Sequence, residues 1–378
     1  MSPDTVMPTD RPIGGPQPKA GVMRISPYVP GESKAKGAGR PIQLAANEGA
    51  FGPSPAAIAA FQAKSTDLHR YPDGGATLVR EAIAEVYGLE ADRIVCGAGS
   101  DELIALLLMA YAGPGDEVLH TEHGFLMYSI SAKSVGADPV AVPETGRTAD
   151  VDALLAAVTP KTKLVFIANP NNPTGTYLPA AEIHRLQAGL PSQVILVLDG
   201  AYAEYMTAPD YAAGVELVNA SDNVVMLRTF SKVHGLGGLR LGWCYTTEAI
   251  VDVLNRVRGP FNTSHAAQAA AAAAVRDTAF LAKSVEHNTQ CRGWVTAELR
   301  KLGIHVADSY GNFILADYGD RDPEPLRLAL KAEGILVRQM GGYGLPNCHR
   351  ITIGTEDDMR QAVAAIQRLL PILDKPQA

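Results

Sequence analysis

The residues able to do chemistry in this chain stand in order, each behind a short apolar run. Asn172, in Asn171-Asn172-Pro173-Thr174-Gly175, follows residues 164–168. Asp199 and Tyr202 follow 194–198, and Ser231-Lys232 follows 223–227. Gly99-Ser100-Asp101-Glu102 follows 93–96 in the same way. A primary amine such as Lys232 can hold an aldehyde covalently and carry a proton at one position. A carboxylate ending a buried strand can keep a basic nitrogen protonated. Backbone N–H groups where a helix opens form a phosphate site. Near the other end of the chain, Arg338 and Arg350 offer planar guanidinium groups that grip a carboxylate or phosphate with two bonds. Each feature alone has a plainer reading. Ser-Lys is usually a surface lysine, Asn-Asn-Pro-Thr-Gly a turn, and Asp199 or Ser100 a helix cap. Their common order favours one shared site.

The elements that must position these groups are legible as hydrophobic runs. Residues 93–96, 117–120, 164–168, 194–198, 223–227 and 241–245 are mostly continuous in apolar character. That pattern belongs to strands buried on both faces, so it predicts a parallel α/β sheet. Helical stretches at 101–112 and 179–190 suit the crossovers. Ligands of such open sheets sit outside the carboxyl ends of the strands, where the polar residues stand. From residue 277 the pattern changes to a long helix over 278–302, strands near 312–316, 335–338 and 349–353, and helices at 323–333 and 357–370. That order predicts a small α+β domain. The expected division is a flexible N-terminal arm (1–24), a segment packing beside the small domain and the substrate site (25–60), a large domain (61–276) and a small C-terminal domain (277–378). The alanine-rich residues 266–275 read as a buried helix.

At 378 residues the chain exceeds one compact core. Its 47% hydrophobic and 19% charged residues fit a soluble globular protein. A net charge of -7 argues against nucleic acid or an anionic membrane as partner. The four cysteines form no CxxC pair, so neither a disulfide framework nor a metal site is expected, and a reducing, cytoplasmic setting fits. The most apolar stretch, residues 103–112, is about half a membrane span. Residues 1–21 carry no apolar signal-peptide core.

The strings Asn47-Glu48, Arg70-Tyr71-Pro72-Asp73-Gly74-Gly75, Gly99-Ser100-Asp101-Glu102, Asn171-Asn172-Pro173-Thr174-Gly175, Ser231-Lys232 and Arg350-Ile351-Thr352-Ile353-Gly354 resemble the fold-type I, pyridoxal-phosphate (PLP)-dependent aminotransferases. Within them, the likeness is to the histidinol-phosphate aminotransferase family, over about residues 25–370. The resemblance implies a large domain with a mostly parallel seven-stranded sheet plus a smaller α+β C-terminal domain. It implies PLP bound through Lys232, with Asp199 on the ring nitrogen and Asn172 and Tyr202 on the ring oxygen. Ser100, Asp101, Ser231 and Arg240 would surround the phosphate, and Phe125 would lie on the ring. Tyr71 would reach the phosphate in a neighbouring subunit, making a homodimer with shared sites. Arg350, Arg338, Asn47 and Tyr28 would line the substrate pocket. The implied reaction moves an amino group between glutamate/2-oxoglutarate and histidinol phosphate/imidazole-acetol phosphate. Rival readings are an aromatic or other 2-oxo acid aminotransferase, a decarboxylase of a phosphorylated amino acid, and a cofactor-binding module without catalysis. The chain departs from the family at Gly49-Ala50 (commonly Asn-Pro), Gly200 (commonly Glu) and His123-Gly124 (often Pro-Thr). Gly49, Ala50 and His123 lie on the expected substrate side, so these departures bear on substrate choice more than on reaction type.

Overall fold

The computed structural model describes residues 17–28, 31 and 41–374. Seven strands form the larger sheet: β2 (Ile94–Gly97), β3 (Glu117–Thr121), β4 (Asp138–Val142), β5 (Thr162–Ala168), β6 (Ile195–Asp199), β7 (Val224–Thr229) and β8 (Gly242–Tyr245). Their spatial order is β2-β8-β7-β6-β5-β3-β4. The run from β7 to β4 is parallel throughout, while β8 is antiparallel to both neighbours. The six apolar runs correspond to β2, β3, β5, β6, β7 and β8. The strand β4 has no such run in the sequence: it lies at the sheet edge, contains Pro139, and buries only Val142 fully. The sheet is also not purely parallel, because an apolar run such as β8 carries no signal of direction.

Two apolar layers cover this sheet. One contains Ile83, Val165, Leu196 and Ala270; the other contains Leu103, Leu107, Phe166 and Val197. Helices α1 (Ala20–Met23), α2 (Pro55–Gln62) and α3 (Thr77–Tyr87) precede β2; helix α4 (Ser100–Tyr111) follows β2 directly, and helix α5 (Leu126–Val135) follows β3. The alanine-rich residues form a helix, His265–Arg276, with nearly all of its alanines buried. The small alanine side chains let neighbouring backbones approach closely.

A second sheet has the order β1-β11-β12-β10-β9, from β1 (Ile42–Leu44), β9 (His305–Val306), β10 (Phe313–Asp317), β11 (Ile335–Gln339) and β12 (Cys348–Thr352). β1 pairs parallel with β11, so residues before the large sheet complete the small one. Its core, with Leu299, Ile314, Leu326 and Ile366, is separate from the first and also takes in Leu44 from β1. The described residues include the last part of the expected arm. Ala20–Met23 form a short helix, and a Cβ on Gly21 would collide with the Lys133 carbonyl of α5. Residues 1–16 of the arm lie outside the described residues.

Candidate active site

Strands β2, β5, β6 and β7 end at one edge of the large sheet, and the loops that follow them enclose a cavity of ≈ 280 Å³ with the small domain as its far wall. Lys232, Ser100, Asp101, Phe125, Asn172, Asp199, Tyr202, Ser231, Arg240, Arg350, Arg338, Asn47 and Tyr28 all line it. Tyr71 does not. It is 80% exposed and stacks on Phe261 with ring centroids 4.6 Å apart.

Lys232 lies at the floor of the cleft, with Nζ donating to the Ala46 carbonyl at 3.4 Å and 5.7 Å from the Tyr202 ring. Burial, and then the nearby positive charge of Arg350, bring its pKa down to about 8, against the pull of Asp101. The amine is thereby far closer to its neutral, nucleophilic form than a surface lysine. Asp199 is buried at the end of β6. Burial pushes its pKa up to about 6. Two donors resist that rise: the Tyr128 O–H on Oδ2 at 2.8 Å and the Ala201 N–H on Oδ1 at 3.1 Å.

The cradle at the start of α4 is assembled from several loops. Gly99 has φ +90°, and a Cβ there would collide with the Arg240 guanidinium; a Cβ on Gly242 would collide with the Ser100 amide nitrogen. Only glycine tolerates both the backbone geometry and the approach at Gly99. Arg240 donates from Nη1 to Ser231 Oγ at 3.2 Å and from Nη2 to Asp101 Oδ2 at 3.1 Å. The helix N-terminus, a hydroxyl and a guanidinium thus converge where a phosphate would sit.

The substrate wall is cross-linked by hydrogen bonds. Arg350 donates from Nη1 to Asn172 Oδ1 at 2.5 Å and from Nη2 to the Ala45 carbonyl at 2.9 Å. Its Nε is buried without a partner. The titratable groups acting on it most strongly are Tyr202, Tyr343, Arg338 and Tyr28, and among the described residues no carboxylate forms an ion pair with it. Burial disfavours its charge, so an incoming anion would supply the missing counter-ion. Asn47, held at φ +57°, donates from Nδ2 to the Tyr202 phenol at 2.9 Å. Arg338 sits 5.9 Å from the Tyr28 ring.

Several lining groups went unread in the sequence: Tyr343, Thr229, Pro170 and Ala45. Tyr128, which touches Asp199, was also missed, since a tyrosine three residues after Phe125 on a helix reads as core. The unusual residues have structural roles. His123 donates from Nδ1 to the Tyr343 carbonyl at 2.8 Å, joining the large domain to the pocket wall. A Cβ on Gly49 would lie 2.8 Å from the Lys232 carbonyl, so this glycine allows its loop to rest against the lysine's backbone.

These groups fit PLP. The phosphate cradle, the aromatic face of Phe125, the buried Asp199 and a lysine amine of lowered pKa surround a single cavity. Among the described residues no cluster of histidine, cysteine or acidic residues could hold a metal ion.

The family model for aminotransferase class I and II matches residues 40–366. The histidinol-phosphate aminotransferase of Paramagnetospirillum magneticum is 54% identical over 358 residues, spanning 94% of this chain and 99% of that protein. That of Rhodospirillum centenum is 55% identical over 356 residues, spanning 94% and 98%. Among solved structures, the histidinol-phosphate aminotransferase from Sinorhizobium meliloti in complex with pyridoxal-5'-phosphate is similar at TM-score 0.83 and 29% identity, over 87% of this chain and 91% of that one. An aspartate aminotransferase from Thermus thermophilus shares the fold at TM-score 0.77 and 20% identity, over 87% and 91%.

Proposed function

The chain belongs to the class I and II aminotransferase family, and on that premise we propose that it is a PLP-dependent histidinol-phosphate aminotransferase. It exchanges an amino group between glutamate/2-oxoglutarate and histidinol phosphate/imidazole-acetol phosphate, a step of histidine biosynthesis. The observation that carries this reading is the buried, carboxylate-free Arg350 facing Lys232 across one cavity. An amine and an anion-seeking guanidinium lining one cavity suit a substrate with an amino group at one end and a carboxylate or phosphate at the other.

Bound PLP supplies an aldehyde for the amino group and a ring that accepts electrons from the substrate's α-carbon. Lys232 Nζ would hold the cofactor at rest and, when free, would take and return the substrate's α-proton. Its lowered pKa makes both roles accessible near neutral pH. Asp199 would keep a proton on the ring nitrogen, and Asn172 and Tyr202 would donate to the ring oxygen. The Ser100 and Asp101 backbone, Ser231 and Arg240 would fix the phosphate, while Phe125 would cover one ring face. Arg350 and Arg338, with Asn47 and Tyr28, would orient the substrate's distal anion.

The functional unit is read as a homodimer. Tyr71 and Phe261 stack as an exposed aromatic pair, which a second copy would cover while receiving Tyr71 at its phosphate cradle. The four cysteines are buried and unpaired, and no described helix is long and apolar enough to cross a membrane. A cytoplasmic location is consistent with this. The chain's domain limits are read as a large domain over residues 61–276 and a small one over 277–378, with 25–60 joined to the latter through β1.

The test is a half-reaction. Glutamate alone, added to the purified yellow protein, is expected to shift the cofactor absorbance and release one equivalent of 2-oxoglutarate. Histidinol phosphate, phenylalanine and tyrosine are then ranked by kcat/KM. Absence of oxo acid, or release of CO₂ from a phosphorylated amino acid, would overturn the reading.

A further inference from the structure

We propose that Tyr128 is a positioning residue for Asp199, its phenol fixing one carboxylate oxygen so that Asp199 faces the cofactor as an oriented anion. The inference rests on the PLP reading above and adds a residue to its machinery. Tyr128 is wholly buried on α5, and its O–H donates to Asp199 Oδ2 at 2.8 Å. A buried phenol needs a partner, and a carboxylate makes this bond charge-assisted. The ring is clamped on two sides. It stacks on Phe166 of β5 at 4.7 Å and 16°, and meets Phe125 edge-on at 5.8 Å and 88°. Its position is therefore set by the sheet and by the cavity's aromatic wall rather than by Asp199. A rigid donor imposes its geometry on the carboxylate, not the reverse.

Asp199 has little else to hold it. Its other oxygen accepts from the Ala201 N–H, and burial favours its neutral form. The titratable groups around the pair are Asp101 from α4, Lys232 after β7, Tyr202 after β6, His120 at 6.5 Å from the Tyr128 ring, and Tyr343 from the small domain. Of these only Lys232 favours the carboxylate's charge. Without the phenol, Oδ2 would face apolar surroundings and the anion would be weakened. The ring nitrogen would then hold its proton less well.

Tyr128→Phe removes one oxygen and keeps the ring. In the holoenzyme, the pH midpoint of the cofactor's visible absorbance change should move up by on the order of one unit. A ring nitrogen that loses its proton withdraws less charge from the group that titrates. Apoprotein affinity for PLP and kcat for the glutamate half-reaction should each fall roughly tenfold, with KM for glutamate nearly constant. In an Asp199→Asn background, Tyr128→Phe should change none of these further. Tyr128→His, which keeps a donor, should recover part of the midpoint and carries the comparison if the phenylalanine variant does not fold. A wild-type midpoint and PLP affinity in Tyr128→Phe would overturn the proposal, as would equal losses in both backgrounds. Failure of the wild-type protein to bind PLP would instead sink the cofactor reading, and failure with histidinol phosphate alone only the substrate.

Discussion

Covalent capture of PLP by the apoprotein should rise with pH around a midpoint near 8, well below that of an ordinary lysine. The structure lowers Lys232 from 10.5 to about 8, first by burial and then by the charge of Arg350, with Arg240 adding to it. Only the neutral amine attacks an aldehyde. At pH 7 a group with pKa 8 is ~10% neutral, whereas one at 10.5 is ~0.03% neutral, a ratio of ~300-fold. The cleft opens to solvent, which screens part of this, so ~300-fold is the upper bound. The sign is fixed by the charge type: a lysine loses a positive charge as pH rises, so a depressed pKa brings reactivity to lower pH. The assay mixes apoprotein with PLP across pH 6 to 11, traps the product with borohydride, and counts the reduced adduct. Each rate is divided by that of free Nα-acetyl-lysine, which cancels the ionisation of PLP itself. The ratio should be largest and nearly flat at pH 6 to 7, halve by about pH 8, and fall toward a constant above about pH 10.5. Lys232→Ala should trap nothing. A ratio independent of pH would refute the reasoning, because Lys232 would then titrate as a free side chain.

Arg350→Lys keeps the charge but loses the planar pair of nitrogens that grips an anion at two points, so kcat/KM for glutamate should fall by roughly 10- to 100-fold in steady-state assays. Gly99→Ala places a Cβ against Arg240 at φ +90°; PLP affinity, read by equilibrium dialysis, should weaken by about tenfold or more while the fold is retained. Thr355 closes a capping box with Asp358 at the start of the helix Glu356–Leu369, so Thr355→Ala should cost about 1 kcal/mol in urea unfolding and leave kcat unchanged.

What could be read from the sequence depended on the range of the interaction. The strands β5, β6 and β7 announce themselves because each is apolar along its whole length, and the polar residue ending each one marks the ligand edge. β1 is three residues long and exists only through pairing with β11, nearly three hundred residues away. No local pattern specifies such a strand. The same limit hid the Tyr128–Asp199 bond, which joins residues 71 apart. It also hid the reason for Gly49, which lies in the approach of the Lys232 carbonyl. Arginine type and spacing suggested Arg350 as an anion clamp. Its lack of a carboxylate partner became visible only when the surrounding side chains were placed.

The groups that would meet substrate already bind one another across the seam between the two hydrophobic cores. Arg350 on β12 reaches Asn172 of the large domain and Asn47 reaches Tyr202, while on the small-domain side Asn312 holds the carbonyls of Asn47 and Glu48. His123 adds a bond to the backbone of Tyr343. Any ligand that engages Asn172, Tyr202 or Arg350 must share or replace these bonds, so binding exchanges partners rather than filling an idle site. The same exchange touches the contacts that hold the small domain against the large one. Substrate recognition and domain placement are therefore linked through the same side chains. The departures at Gly49 and His123 lie on that seam, where a change in loop packing can alter which anion Arg350 receives without disturbing Lys232 or Asp199 beneath it.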